Sequence, residues 1–357
     1  MIHRRYLMRE ALKAVFLVLL AFVVLFAFFD FIEEARSVGQ GRYGIGVALG
    51  YVFFSIPGLA YEFIPVACLI GTLYALATFA RHSEIVVLRA SGMSMAELLG
   101  VFYRVAAILA ILTFVLGELV VPFSGRMGQE LKSQAMNKPF AQQGFLSGVW
   151  IKDGMEFINF RQAASDSFLE RVRIYRFDSS GALQSVLDAR TATFADDGKW
   201  VLDGLVKTTI NDDVARVEHQ ETDVWQSSIT PRLLSSLMVL PERMSLYDLF
   251  RYTRHLSANR QNTERYEIAI WKKLFYPLAS LVMVTLALPF GYVHDRVGGV
   301  SLKIFAGVML GIAFYALNGL FSNLGVINAW PPMASAAAPA ALFFLAAVSL
   351  IWWVERR

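Results

Sequence analysis

Apolar and polar positions follow two different rhythms along this chain, and the change of rhythm divides it into three parts. Long, nearly unbroken apolar runs cover Ala14–Phe29, Tyr51–Phe79 and Leu98–Val121, and again Ile268–Tyr292, Ile304–Leu324 and Met333–Val354. A run of about 20 apolar residues, wound as a helix, crosses the roughly 30 Å hydrocarbon core of a bilayer. The six runs therefore predict six transmembrane helices. The first is flanked by Arg4, Arg5, Arg9 and Lys13, as a signal peptide is. It is long for one, and no small-x-small cleavage site follows Phe29, so it is read as a retained span. Pro57 and Pro65 predict an irregular start or a kink in the second span, and Pro122 predicts the end of the third.

Between the two sets of runs the period shortens to two. Alternating segments occur at Gly148–Asp153, Met155–Arg161, Leu169–Phe177, Leu183–Ala189, Thr191–Phe194, Trp200–Asp203, Leu205–Ile210, Val214–Gln220 and Thr222–Ile229. Asp153-Gly154, Ser180-Gly181, Asp197-Gly198 and Asn211-Asp212-Asp213 punctuate them as turns. This spacing predicts an antiparallel sandwich or jelly roll. Ser245-Leu-Tyr-Asp248 then opens a short amphipathic helix with Ser245 as its cap. The resulting fold class is an α-helical membrane protein of six spans with an inserted all-β domain. Its parts are a first transmembrane half over 1–128, the β-domain over 129–240, and a connecting helix with the second transmembrane half over 241–357.

Composition supports this division. The 357 residues are 56% hydrophobic and 17% charged, with a mean hydropathy of +0.49, against roughly 45–50% and 25% in soluble domains. The net charge of +4 comes without a basic, aromatic-interleaved block, which excludes a nucleic-acid reading. Short Lys/Arg-bearing segments are the N-terminus, Arg81 with Arg89, Arg296 with Lys303, and Arg356 with Arg357. With six spans all four fall on one side, so both termini are expected in the cytoplasm and the β-domain outside. Cys68 is the single cysteine, and the five histidines are scattered, so neither an intrachain disulfide nor a metal site is expected.

Chemistry-bearing positions are few. The loop Arg81-His-Ser-Glu-Ile-Val-Val-Leu-Arg-Ala-Ser-Gly92 predicts a short cytoplasmic helix over about 82–92, with Ser83 as its cap, Glu84 at the positive end of its dipole and Gly92 as its stop. Ser94-Met-Ala-Glu97 is a capping box for the third span. Glu84, Leu88 and Ser91 share one face, of a size to enter a cleft in a cytoplasmic partner. An ordinary interfacial helix with snorkelling arginines has the same pattern. Asp30, Glu33, Glu34 and Arg36 crowd the outer end of the first span. They form either a hydrated interface or a rim that holds a charged lipid headgroup, Arg36 pairing with phosphate. Gly307-Val-Met-Leu-Gly311 permits close helix approach, within the chain or across a dimer. No phosphate-binding loop occurs: Gly298-Gly299-Val300-Ser301-Leu302-Lys303 fails its spacing. Glu118 stands isolated at the outer end of the third span, and no set of groups suits catalysis. Any ATP used in transport must be bound by another chain.

These features together resemble a known family. Three spans, a periplasmic β-jelly-roll and three more spans are the plan of the LptF/LptG permeases of the lipopolysaccharide exporter. The most specific stretches are Ser83-Glu84 through Ala90-Ser91-Gly92, Val149-Trp-Ile-Lys-Asp-Gly154, and Arg265-Tyr266 through Trp271-Lys272-Lys273-Leu274-Phe275, and the last two look more like the G subunit. The resemblance implies a multi-pass inner-membrane permease that forms a heterodimer with an LptF-type paralogue. Beneath it would sit a cytoplasmic LptB-type ATPase dimer that uses ATP and Mg. An LptC-type single-span protein and a periplasmic LptA-type bridge would complete the path. By the same resemblance Arg81, Glu84, Leu88 and Arg89 contact the ATPase, with Glu84 the docking carboxylate. The expected substrate-contact set is Phe26, Asp30, Phe31, Arg36, Lys132, Phe305, Met309, Ile312 and Phe321. Asp30 departs from the family, whose G subunits can be basic there, and a bridging cation would reconcile it. A non-transporting assembly or signalling protein that couples a periplasmic domain to a cytoplasmic partner is the competing reading.

Overall fold

A computed structural model describes residues 2–93, 95–136, 149–165, 167–195, 198–211, 214–231, 233–234, 241–292 and 300–355. Ser94 of the capping box, Gly148, Asp197, Asp212, Asp213, Arg296, Gly298, Gly299, Arg356 and Arg357 lie outside the described residues, as does the side chain of Arg89.

The first half comprises α1 (Ile2–Ala35), α2 (Ile45–Arg81), the short α3 (Glu84–Ala90), α4 (Met95–Val115), a π-helical turn (Leu116–Val120) and α5 (Val121–Met136). The second half follows the β-domain, with α6 (Leu246–Ala258), α7 (Glu264–Phe275), α8 (Ala279–Tyr292), α9 (Val300–Ile327) and α10 (Pro332–Glu355). Among the described residues, six helical stretches are long and apolar enough to cross a bilayer, the third running through α4 and α5 and the fourth through α7 and α8. Every predicted span is present. α2 has 37 residues, about 55 Å at about 1.5 Å per residue. It therefore extends well beyond the roughly 30 Å hydrocarbon layer.

α2 starts at Ile45, well before Pro57, so the prolines do not mark its start, and the helix continues through Pro57 and Pro65. Inside a helical bundle, neighbours compensate the lost donors. Nor does Pro122 end the third span. Its missing N–H leaves the ladder one donor short, and the preceding turn widens so that Val121 N–H bonds to Leu116 O, five residues back. The helix then continues to Met136, so the expected domain boundary at 128/129 falls inside α5.

α2 is the central helix. Of its most apolar window 78% is buried, against 6% for α1 and 17% for α9. Glycines set the close approaches. A Cβ on Gly71 would stand 2.5 Å from Val15 Cα on α1, and one on Gly311 2.5 Å from Val66 Cγ1. The Gly307/Gly311 pair therefore serves packing of α9 onto α2 within the chain.

Among the described residues the β-domain is one six-stranded antiparallel sheet in the order β1-β2-β3-β4-β5-β6. The strands are β1 (Val149–Asp153), β2 (Glu156–Ser165), β3 (Phe168–Phe177), β4 (Leu183–Phe194), β5 (Lys199–Asn211) and β6 (Val214–Gln226). The domain is all-β, as expected, and its described strands follow one another as hairpins. Six of the short segments read from the sequence fuse into three long strands. Buried positions in β4 run 185, 187, 189 and then 192, and in β5 200, 202 and then 205. One residue interrupts the alternation in each, Arg190 and Gly204. Gly204 takes φ +63°, and Arg171 in β3 takes φ 53°. Arg171, Arg190 and Gly204 lie side by side across the three strands, whose register stays in step through them.

The apolar face of the sheet buries Ile158, Phe160, Val172, Ile174, Leu187, Trp200, Leu202 and Trp225. Leu249, Tyr252 and Leu256 of α6, with Ala269 and Ile270 of α7, complete this core. Ser245 caps α6 as expected, its Oγ accepting from Asp248 N–H at 3.1 Å.

Candidate functional site

Three regions hold the sequence-predicted positions. At the end of the bundle that carries the β-domain, the last turn of α1 meets α5 and the loop before α2. Glu34 is 8% exposed. Its carboxylate accepts from Lys132 Nζ at 2.6 Å and from Tyr43 Oη at 2.6 Å. Lys132 also lies over the Tyr51 ring, 4.8 Å from its centroid. Burial, then donation to Glu34, pushes the Tyr43 phenol well above its ordinary range. The loop is tied down by Arg42 N–H bonding to Ala135 O at 2.8 Å. Phe31 packs beneath, against the core of Tyr43, Ala48 and Met136. Asp30 is half-buried and Arg36 exposed on the same rim. The structure thus brings Lys132, Phe31 and the Asp30–Arg36 segment together. It adds two residues that local sequence did not single out, Tyr43 and Tyr51. The sequence placed Glu34 on the rim but did not show it as the counter-ion of Lys132, because the two are 98 positions apart.

The opposite end carries α3. Ser83 takes φ +60°, outside the extended conformation of a capping residue. Its carbonyl accepts from Val87 N–H at 3.1 Å, and the expected side-chain cap is replaced by a backbone turn. Gly92 has φ +92° and ends the segment as predicted. Tyr6 Oη reaches Glu84 at 3.4 Å. Leu88, half-buried like Glu84, packs with Ile85 against the bundle core. The exposed apolar pair is Val86 and Val87, at 64% and 65%. Arg81 is exposed.

The third region is the bundle's flank. Phe305, Met309 and Ile312 project from α9, each at least half exposed. α1 leaves Phe16, Leu17, Leu20, Val24 and Phe28 uncovered in the same way. Phe26 turns inward, its ring tilted against that of Phe63 with centroids 4.4 Å apart. Phe321 is half-buried beside Trp330, 6.3 Å away. α1 and α9 both pack on α2 and both keep an open apolar face. Patches this large mark contact with lipid or with another membrane chain.

Comparison with known proteins agrees with this architecture. The family described as "Lipopolysaccharide export system permease LptF/LptG" matches residues 5–353. The chain is 30% identical to the lipopolysaccharide export system permease protein LptG of Haemophilus influenzae, over 99% of this chain and 98% of that protein. It is also 30% identical to LptG of Escherichia coli K12, over 97% of each. LptF of the same organism is 28% identical over 39% of this chain and 38% of its own length. The six spans, the inserted sheet and a match that runs almost end to end identify the chain as a member of the LptF/LptG family of lipopolysaccharide export permeases.

Proposed function

We propose that this chain is the G-type half of an ATP-driven exporter that lifts lipopolysaccharide out of the inner membrane. The observation that carries this reading is the pair of open apolar faces on α1 and α9, flanking a buried α2. A paralogous LptF-type permease set against them would enclose a cavity lined by Phe305, Met309 and Ile312.

α3 docks in a homodimeric LptB-type ATPase, which holds the ATP and Mg. Glu84 and Arg81 supply charge to that contact, and Val86 and Val87 its apolar centre. At the other end Lys132 and Arg36 meet the lipid phosphates. Lys132 does so by exchanging the Glu34 carboxylate for phosphate. Asp30 sits beside them, where a divalent cation could bridge it to a phosphate. The β-domain passes the lipid on to an LptC-type protein and an LptA-type bridge, and the unpaired edge of β6 is suited to strand addition.

Two experiments test this. Glu84→Ala and Glu84→Arg should leave the permease inserted and paired while reducing co-purification of the ATPase and halting transport; normal transport in both removes Glu84 from the coupling contact. Photo-crosslinkers at Phe31 and Phe321 should capture lipopolysaccharide. If neither does so, the assembly or signalling reading gains.

A further inference from the structure

Glu118, which looks isolated in the sequence, is the centre of a junction between the membrane helices and the β-domain. It lies within the π-helical turn that Pro122 forces on the third span. Gly117 beside it allows this turn to seat against Tyr61, since a Cβ there would stand 2.5 Å from the ring. π-Turns of this kind re-aim side chains and concentrate at functional positions.

Here the turn directs Glu118 at the start of α6. Both carboxylate oxygens lie 3.0 Å from Leu246 N, the first residue of that helix. Ser245 serves the Asp248 N–H, so Glu118 supplies an acceptor that the local cap does not. An anion at this end also favours the helix dipole. Lys273 of α7, 6% exposed, approaches Glu118 at 3.6 Å and donates to the Met244 carbonyl just before α6. Arg126 of α5 pairs with Asp248 in the first turn of the same helix. Three charged side chains from the third and fourth spans therefore hold one helix end.

The rest of α6 belongs to the β-domain. Leu249, Tyr252 and Leu256 fill the sheet's core. Arg251 donates to Thr230 Oγ1 at 3.1 Å. At the C-terminal cap, Asn259 Oδ1 accepts from Gly154 N–H, in the β1–β2 turn, at 2.6 Å. α6 is thus fixed to the spans at one end and to the sheet along its length.

We infer that Glu118 is a positioning residue of the export cycle: with Lys273 it makes α6 a stiff link, so that displacement of the third and fourth spans carries the β-domain with them. The inference rests on the export reading. The paired carboxylate resists separation, because parting it from Lys273 would leave the buried Lys273 charge without its nearest counter-ion.

The test uses the complete complex, reconstituted in proteoliposomes with the partner permease and the ATPase. ATP hydrolysis and delivery of lipopolysaccharide to a soluble acceptor domain are read in parallel for wild type, Glu118→Ala and Glu118→Gln. Glu118→Ala should keep hydrolysis within about twofold of wild type while delivery falls about tenfold or more, on the scale of a lost helix cap. Glu118→Gln retains an acceptor for Leu246 N–H and should recover part of the delivery. Hydrogen exchange over residues 246–250 should quicken in the same order. Equal losses of hydrolysis and delivery in both variants would reduce Glu118 to a structural role, and unchanged delivery in Glu118→Ala would overturn the inference. A wild-type complex that delivers nothing would instead contradict the export reading.

Discussion

Replacement of Glu34 gives a quantitative test of how the rim is organised. Its carboxylate holds Lys132 and Tyr43 at once, each at 2.6 Å, and the paired side chains of Glu34 and Lys132 are only 10% and 18% exposed. Removing one partner of a buried ion pair costs about 3–5 kcal/mol, and a lost hydrogen bond to a charged group about 1.5–3 kcal/mol. Both effects act through one carboxylate at a rim that is partly open to water, so Glu34→Ala should destabilise by about 3 kcal/mol rather than by the sum. Glu34→Gln keeps an acceptor for Tyr43 and should cost about half as much. Lys132→Ala strands the carboxylate and should match Glu34→Ala. The double variant should be no worse than either single change. Thermal unfolding of the purified protein in micelles ranks the four variants, and lipid A binding separates the roles of the pair. If Lys132 exchanges partners during export, Glu34→Gln should bind lipid A at least as tightly as wild type and Lys132→Ala more weakly. Additive losses of stability, or weaker lipid A binding by Glu34→Gln than by Lys132→Ala, would refute the reasoning.

Other outcomes follow from the same geometry. Burial lowers the His255 pKa despite the nearby Asp153 charge. Its neutral form is therefore favoured by folding, and the stability this adds is present above the unfolded value of about 6.5 and lost as pH falls below it. Burial opposes ionisation of Asp153, but hydrogen bonds from Ser227 and Ser228 outweigh it and lower its pKa. Its contribution should persist to about pH 4 and fade below. Denaturation at pH 7.5 and 5.5 should show the first loss, and His255→Gln should remove it. Trp200 is fully buried and donates to Ile229 O at 2.9 Å. Trp200→Phe should cost about 1–2 kcal/mol and Trp200→Ala about 3–5 kcal/mol, measured by urea unfolding of the β-domain signal. Gly71→Ala drives a methyl group into the Val15 backbone and should destabilise by about 1–3 kcal/mol in thermal melts. Gly46→Ala, in open space on the same helix, should be neutral or stabilising.

The spans and the all-β insert were legible because both depend on local period, and burial follows period. Where the structure departs from the reading, a non-local or backbone effect intervenes. Arg190 and Gly204 split β4 and β5 into apparent pairs of strands because the buried phase moves by one residue at each. Pro122 reads as a stop, yet a π-turn absorbs its missing donor. Spacing puts Glu84, Leu88 and Ser91 on one face of α3, and only the packed bundle shows Leu88 and Ile85 against the core with Val86 and Val87 exposed. The site was less legible than the fold. Lys132 was placed by family likeness without its counter-ion, and Glu118 looked solitary because Leu246 is 128 positions away. Such pairings exist only once the helices are packed, and no window of sequence contains them.

The central claim is that this chain moves lipopolysaccharide rather than merely holding a complex together. The most direct measurement is release of labelled lipopolysaccharide from proteoliposomes that contain this chain, its paralogous permease and the ATPase, with a soluble acceptor outside. Release that requires ATP, and that stops when Glu84→Arg replaces the native chain, is the expected result. Assembly and ATP hydrolysis at wild-type rates with no release of lipopolysaccharide would contradict the account.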